Sequence, residues 1–169
     1  MRRLHGLEPF NRTWAEYKSG FGKLLGEFWL GNEVVRQLTS RLSYTLHVQY
    51  NRVDGIQNRA IYETFTLGRE RDGYRLHLGR RKHPFYDGLD GRLAAYPLHL
   101  CSNCTFWTSD KKHRCTKLAG GWWRPNYKDN CRAGATDVNV LDHSTASEKK
   151  TSVTKVVMKI RPTTFKRGE

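Results

Sequence analysis

"GFGKLLGEFWLGNE", residues 20–33, sets four glycines among Phe21, Leu24, Leu25, Phe28, Trp29 and Leu30. A regular amphipathic helix disfavours that mixture, because each glycine costs about 1 kcal/mol relative to alanine in a helix interior. A solvated linker has no use for the aromatic residues. The combination predicts an irregular, tightly packed turn whose backbone takes positive φ or lies against an aromatic face.

Upstream of that turn, "NRTWAEYKSG" reads as a short helix. Thr13 caps it, Glu16 completes a capping box, and Gly20 stops it. Downstream, Asn32 is placed to cap a second helix, "EVVRQLTSRL", with Val34, Val35, Leu38 and Leu42 on its apolar face. "SYTLHVQYN" then alternates, with Tyr44, Leu46, Val48 and Tyr50 on one side, as a half-buried strand does. After a turn at "VDG", the runs "AIYETFTLG" and "YRLHLG" predict two further strands in an antiparallel meander. Near the C-terminus "TKVVMKIRP" alternates Val156, Met158 and Ile160 with charged or smaller neighbours, a late strand returning to the early sheet. Residues 1–79 and 150–162 thus form a sheet-and-helix core. Residues 80–149, rich in Gly, Pro, Asp, Asn and isolated aromatic bursts, form a long loop-rich region of the kind that carries function.

A chain of 169 residues holds one domain, and 7 Phe, 5 Trp and 8 Tyr give its core large packing area. No run reaches the roughly 18 apolar residues of a membrane span, so membrane insertion is not expected. Thirty Lys/Arg against sixteen Asp/Glu give a net charge of +14, which attracts polyanions without dictating the fold. No zinc finger, helix-turn-helix or ribonucleoprotein signature organises that charge, so specific nucleic-acid binding is not expected either. The seven histidines have no matching acid and nucleophile, and no G-x-S-x-G, H-E-x-x-H or phosphate loop occurs, so no enzyme is expected.

The cysteines stand at 101, 104, 115 and 131. Their spacing does not make a four-cysteine zinc site, and "LHLCSNCTFW" lacks the context of a redox motif. Disulfides in an oxidising compartment fit better, with three pairings open. Asn11-Arg12-Thr13 and Asn103-Cys104-Thr105 match the N-glycosylation sequon.

Several segments in order resemble the fibrinogen-related domain. Arg2-Arg3, Gly6, Phe10, Arg12 and Trp14 fit its opening "RR..G...F.R.W". "WAEYKSGFG" through "GEFWLGNE" follows, then Asp54, Gly55, Ala60, Tyr62, Phe65 and Gly68 in a "DG....A.Y..F..G" pattern. "DGYRLHLG", Gly120-Gly121-Trp122-Trp123 and "VVMKIRP" complete the series. The resemblance implies an α+β fold: a twisted antiparallel sheet flanked by short helices, plus a long loop-rich, disulfide-stabilised region. In it, residues 20–33 pack as a loop beneath the sheet, with Phe28 and Trp29 in the core. Residues 1–169 read as a single partial domain, since the family's segment ending "GGGWTVIQRR" is matched only from its last residues.

The resemblance also implies where chemistry sits. The family's calcium site follows "FST.D.D"; here "FWTSDKKHRC" keeps Asp110 but has Lys112 at the second acidic position and Arg114 beyond. A hard cation needs several oxygen ligands, so no calcium, no other metal and no cofactor are expected, with Asp110 paired instead to a neighbouring Lys or Arg. The family's ligand pocket adjoins a disulfide loop, for which Cys115 and Cys131 are the implied pair. Trp123, Tyr127, Asn130, Cys131 and Arg132 are its implied contacts, although Trp122 and Trp123 also suit core packing. After Cys131, "RAGATDVNV" replaces the family's "H.SNLNG", and Arg132 stands where histidine is common.

The first functional expectation is a secreted, extracellular, lectin-like module of innate defence that binds acetylated glycans and is multimerised through an N-terminal stalk. The second is a protein-binding signalling or matrix module of the angiopoietin or tenascin type, partnered by a receptor or matrix protein. The third is a degenerate domain that binds polyanions by charge alone.

Overall fold

A computed structural model describes residues 1–52, 55, 57–82, 102–111, 120–124 and 153–164. The capping box forms as expected. Thr13 precedes helix α1 (Trp14–Ser19), its hydroxyl accepts from the Glu16 backbone N–H, and the Glu16 carboxylate accepts from the Thr13 N–H. Gly20 ends the helix at φ 95°.

The "GFGKLLGEFWLG" stretch is a small hairpin at a sheet edge rather than a loop beneath the sheet. Strand β2 (Phe21–Gly22) pairs with β3 (Phe28–Trp29), and β3 pairs with β1 (Arg2–Arg3). The glycines answer to close backbone packing. A Cβ on Gly20 would lie 2.7 Å from the Leu30 carbonyl oxygen, and one on Gly31 (φ 103°) would lie 2.8 Å from that of Ser19. The end of α1 and the exit of β3 therefore touch backbone to backbone. Trp29 is buried from this hairpin, while Phe28 is half-buried beneath the Arg2 guanidinium, 5.7 Å from its ring centre.

Helix α2 (Asn32–Arg41) departs from its apolar periodicity. Gly31, not Asn32, occupies the cap position, and Val34, Leu38 and Leu42 face solvent. The inward positions are Asn32, Val35 and Thr39. Asn32 Oδ1 accepts from Trp29 Nε1 at 3.1 Å, although its buried Nδ2 has no partner among the described residues, and Thr39 Oγ1 accepts from the Leu67 N–H while donating to the Val35 carbonyl. These bonds offset part of the cost of burying the two polar side chains.

Strand β4 (Tyr44–Arg52) and the late strand β10 (Val153–Pro162) pair antiparallel along most of their length at the centre of the main sheet. Its order among the described residues is β2-β3-β1-β10-β4-β5, with β5 spanning Gln57–Tyr62. Leu46, Val48, Ala60, Tyr62 and Val156 point to the core. The run "AIYETFTLG" divides: β5 ends at Tyr62, and β6 (Phe65–Leu67) pairs with β7 (Leu76–Leu78) in a second sheet. Strands β8 (Thr105–Trp107) and β9 (Trp122–Arg124) form a third pair. Phe10, Trp14, Tyr17, Trp29, Tyr74, Phe106, Trp122 and Trp123 pack together between these layers as an aromatic-rich core.

Candidate functional site

The β8–β9 ribbon reaches into the region where the ligand contacts were expected, and of the five expected contacts Trp123 falls within the described residues. Its side chain is 2% exposed. Its ring lies 5.0 Å from Phe106, 5.3 Å from Trp122 and 5.8 Å from Trp29, centre to centre. Its indole N–H donates to the Tyr74 carbonyl at 2.9 Å. Trp122 and Arg124 are buried as well. The approach of β9 depends on Gly121, whose N–H donates to the Tyr17 hydroxyl at 3.0 Å and whose missing Cβ would lie 2.6 Å from the Tyr17 ring. Tyr127, Asn130, Cys131, Arg132 and the proposed Cys115–Cys131 pair lie outside the described residues, as do Cys101 and Lys112. Cys104 is buried between β7 and β8.

Trp123, Trp29, Asn32, Leu46, Phe65 and Met158 line a largely apolar cavity of about 320 Å³ under the main sheet. The exposed Leu24 and residues 158–160 of β10 also line it, and Trp123 contributes to its wall.

Asp110 has a different role from the one expected. Its two carboxylate oxygens lie 3.0 and 3.1 Å from the Trp14 backbone nitrogen, so it accepts from the first N–H of α1 across 96 residues of sequence. Burial opposes its ionisation, but the Thr108 hydroxyl and the Trp14 N–H outweigh that and hold the carboxyl below its usual range. The basic neighbour, Lys111, is placed over the Trp14 ring, 3.9 Å from its centre. Trp14 Nε1 in turn donates to Glu70, which also pairs with Lys18 at 2.6 Å. This arrangement anchors the start of α1, because the carboxylate oxygens face a backbone donor of its first turn. Among the described residues no three His, Cys, Asp or Glu side chains cluster as metal ligands.

Sequence reasoning missed Glu27. This buried carboxylate gathers the chain that follows β1, accepting from the N–H groups of Leu4, His5, Gly6 and Glu8 at 2.5–2.9 Å. Desolvation would raise its pKa, yet the four donors bring it down to about 2. A lone acidic residue inside "LLGEFWL" gives no pattern from which this could be read. Both sequon asparagines are exposed: Asn11 sits beside Ser109, and Asn103 occupies a tight turn at φ 75°.

The sheet topology, the glycine-locked hairpin and the inward tryptophans define a fibrinogen-like globe. The family described as fibrinogen beta and gamma chains, C-terminal globular domain, matches residues 1–163. The chain belongs to that family. Angiopoietin-4 of Bos taurus is 42% identical over 128 residues, covering 72% of this chain and 24% of that protein. Fibroleukin of Homo sapiens is 33% identical over 129 residues, covering 72% of this chain and 28% of its own length. The chain thus spans about a quarter of these relatives. Among solved structures, the fibrinogen-like globe domain of human ANGPTL6 superposes with a TM-score of 0.74 at 33% identity, covering 95% of this chain and 75% of that one. No helix among the described residues is long and apolar enough to cross a membrane.

Proposed function

We propose that this chain is a non-catalytic, extracellular protein-recognition module that acts as a ligand or matrix domain of the angiopoietin type. The carrying observation is the burial of Trp122 and Trp123, the second with its indole N–H committed to Tyr74. A sugar-binding wall needs an accessible aromatic face, and these two are enclosed. The similarity to angiopoietins supports the same reading. A protein interface also needs exposed apolar groups, and Leu7, Leu24, Leu25, Val34, Leu38 and Leu42 supply them.

The module works without calcium and is multimerised through a stalk in its parent protein, where avidity strengthens weak single contacts. Recognition of acetylated glycans is the competing reading, and it rests on residues 127–132.

The test uses the domain displayed as a tetramer on cells in about 0.5 M salt, where attachment by charge is screened. Binding survives periodate oxidation of surface glycans, is removed by mild trypsin treatment, and is indifferent to free N-acetylglucosamine. Elution by that sugar, or loss after periodate with trypsin-treated cells still binding, overturns the reading.

A further inference from the structure

The outward face of the main sheet is a second, chemically distinct surface. On β10 the side chains opposite to the core are Lys155, Val157, Lys159 and Arg161, and all three cations are exposed. The antiparallel register sets Lys159 against His47 and Arg161 against Thr45 on β4, then His47 against Ile61 and Gln49 against Arg59 on β5. Lys82 continues the row, since its N–H donates to the Ile61 carbonyl. No outward position of these three strands is acidic among the residues named by that register. Among the described residues the ion pairs join Arg12 with Glu8 and Glu16, Lys18 with Glu70, Arg36 with Glu33, and Arg80 with Glu63 just beyond β5, and none of them engages Lys155, Lys159, Arg161, Arg59 or Lys82.

The cations are therefore placed by the sheet and not neutralised by it. Their mutual field is visible at His47: burial lowers its pKa first, and Arg161, Lys159 and Lys82 each lower it further. Strand geometry spaces alternate residues by about 7 Å and neighbouring strands by about 5 Å, so Lys155 to Arg161 spans roughly 20 Å of flat, twisted surface.

We infer that this face, with Lys155, Lys159 and Arg161 on β10, Arg59 on β5 and Lys82 beside it, docks a linear sulfated polysaccharide. Charge complementarity selects a polyanion. The outward positions named above carry no Phe, Tyr or Trp, and their one aromatic ring, His47, is half-buried, which leaves little of the stacking platform that single-stranded nucleic acids use. A flat face also offers no helix to a duplex groove. An extended chain bearing sulfates at regular intervals needs only the row of cations along β10. The cations of this surface are different residues from the apolar groups invoked for protein recognition, so a domain of this kind can hold to the pericellular matrix through one set and to a partner through the other.

The experiment measures binding of the intact chain to a heparin oligosaccharide across a salt series, with desulfated heparin, single-stranded DNA and anionic phosphatidylserine vesicles in parallel. Each cation engaged contributes roughly one to the slope of log affinity against log salt. The double variant Lys159→Ala/Arg161→Ala is expected to lower that slope by about two and the affinity at low salt about tenfold or more. Arg71→Ala, in the turn on the helical side, is expected to leave both unchanged, and unaltered melting temperatures show that both variants fold. Heparin is expected to bind more tightly than the other three probes. Equal losses in the two variants, undiminished binding after desulfation, or tighter binding to DNA or vesicles would overturn the assignment. None of these outcomes touches the protein-recognition reading, whose assay is run where charge is screened.

Discussion

The Glu27 carboxylate accepts four backbone N–H groups from residues 4–8, which is a larger local role than any motif in the chain advertises. Its folded pKa of about 2 lies below the ordinary 4.5. A depressed carboxyl stabilises the fold fully above the unfolded value, and that stabilisation drains away as pH falls from about 4.5 through about 2. Glu27→Gln is expected to lower stability by about 2–3 kcal/mol at neutral pH, as loss of charged hydrogen bonds does. It should also flatten the acid limb of the stability curve, which urea titrations at several pH values would read. Asp110→Ala removes the distant anchor of α1 and is expected to cost about 1 kcal/mol, the ordinary size of a lost helix cap. Melting curves in calcium and in chelator should coincide for the parent chain. A calcium-dependent rise would mean that Asp110 serves a cation instead. Neither role was legible in sequence, because both depend on partners placed by the tertiary fold; in Asp110 the nearby lysines pointed to a salt bridge, whereas the structure supplies a backbone N–H.

At the scale of elements, the capping box of α1 and the alternation of β4 and β10 were readable, since each is a local signal with a fixed period. The split of "AIYETFTLG" was also written in the sequence as a change of parity. Ala60 and Tyr62 are buried on even numbers, Phe65 and Leu67 on odd ones, and one straight strand cannot bury both pairs on one face. The break at Glu63–Thr64 is therefore required. Helix α2 misled for the opposite reason. Its strongest apolar row, Val34, Leu38 and Leu42, lies outside, while Asn32 and Thr39 are drawn inward by partners on other segments. Leu38→Ser is accordingly expected to change stability by no more than about 0.5 kcal/mol, in contrast to the 2–5 kcal/mol of a core truncation. Gly31→Ala should be far worse than its size suggests. It combines φ 103° with a carbonyl oxygen 2.8 Å from the new methyl group, and a loss of roughly 1–3 kcal/mol by chemical denaturation is expected.

For the molecule as a whole, one late strand closes the design. β10 lies between β1 and β4, so residues 153–162 join the first strand of the chain to its central one. The family, the sheet-and-helix core and the inward aromatics were legible because they are distributed over ordered motifs, and those motifs carried the resemblance through to a fibrinogen-like globe. The expected ligand contacts were less legible: Trp123 has the composition of either a core or a pocket residue, and the fold buries it to 2% exposure. The cationic sheet face was hidden for a related reason, since Arg59, Lys82 and Lys159 are scattered in sequence and meet only through strand register.

The most direct measurement follows the Trp123 indole N–H by nuclear magnetic resonance while N-acetylglucosamine is titrated into the domain. With that N–H donated to Tyr74 inside the core, the signal is expected to be protected from solvent exchange and to stay in place throughout. A rapidly exchanging signal that shifts and saturates with the sugar would contradict the account, because it would put Trp123 on an accessible ligand wall.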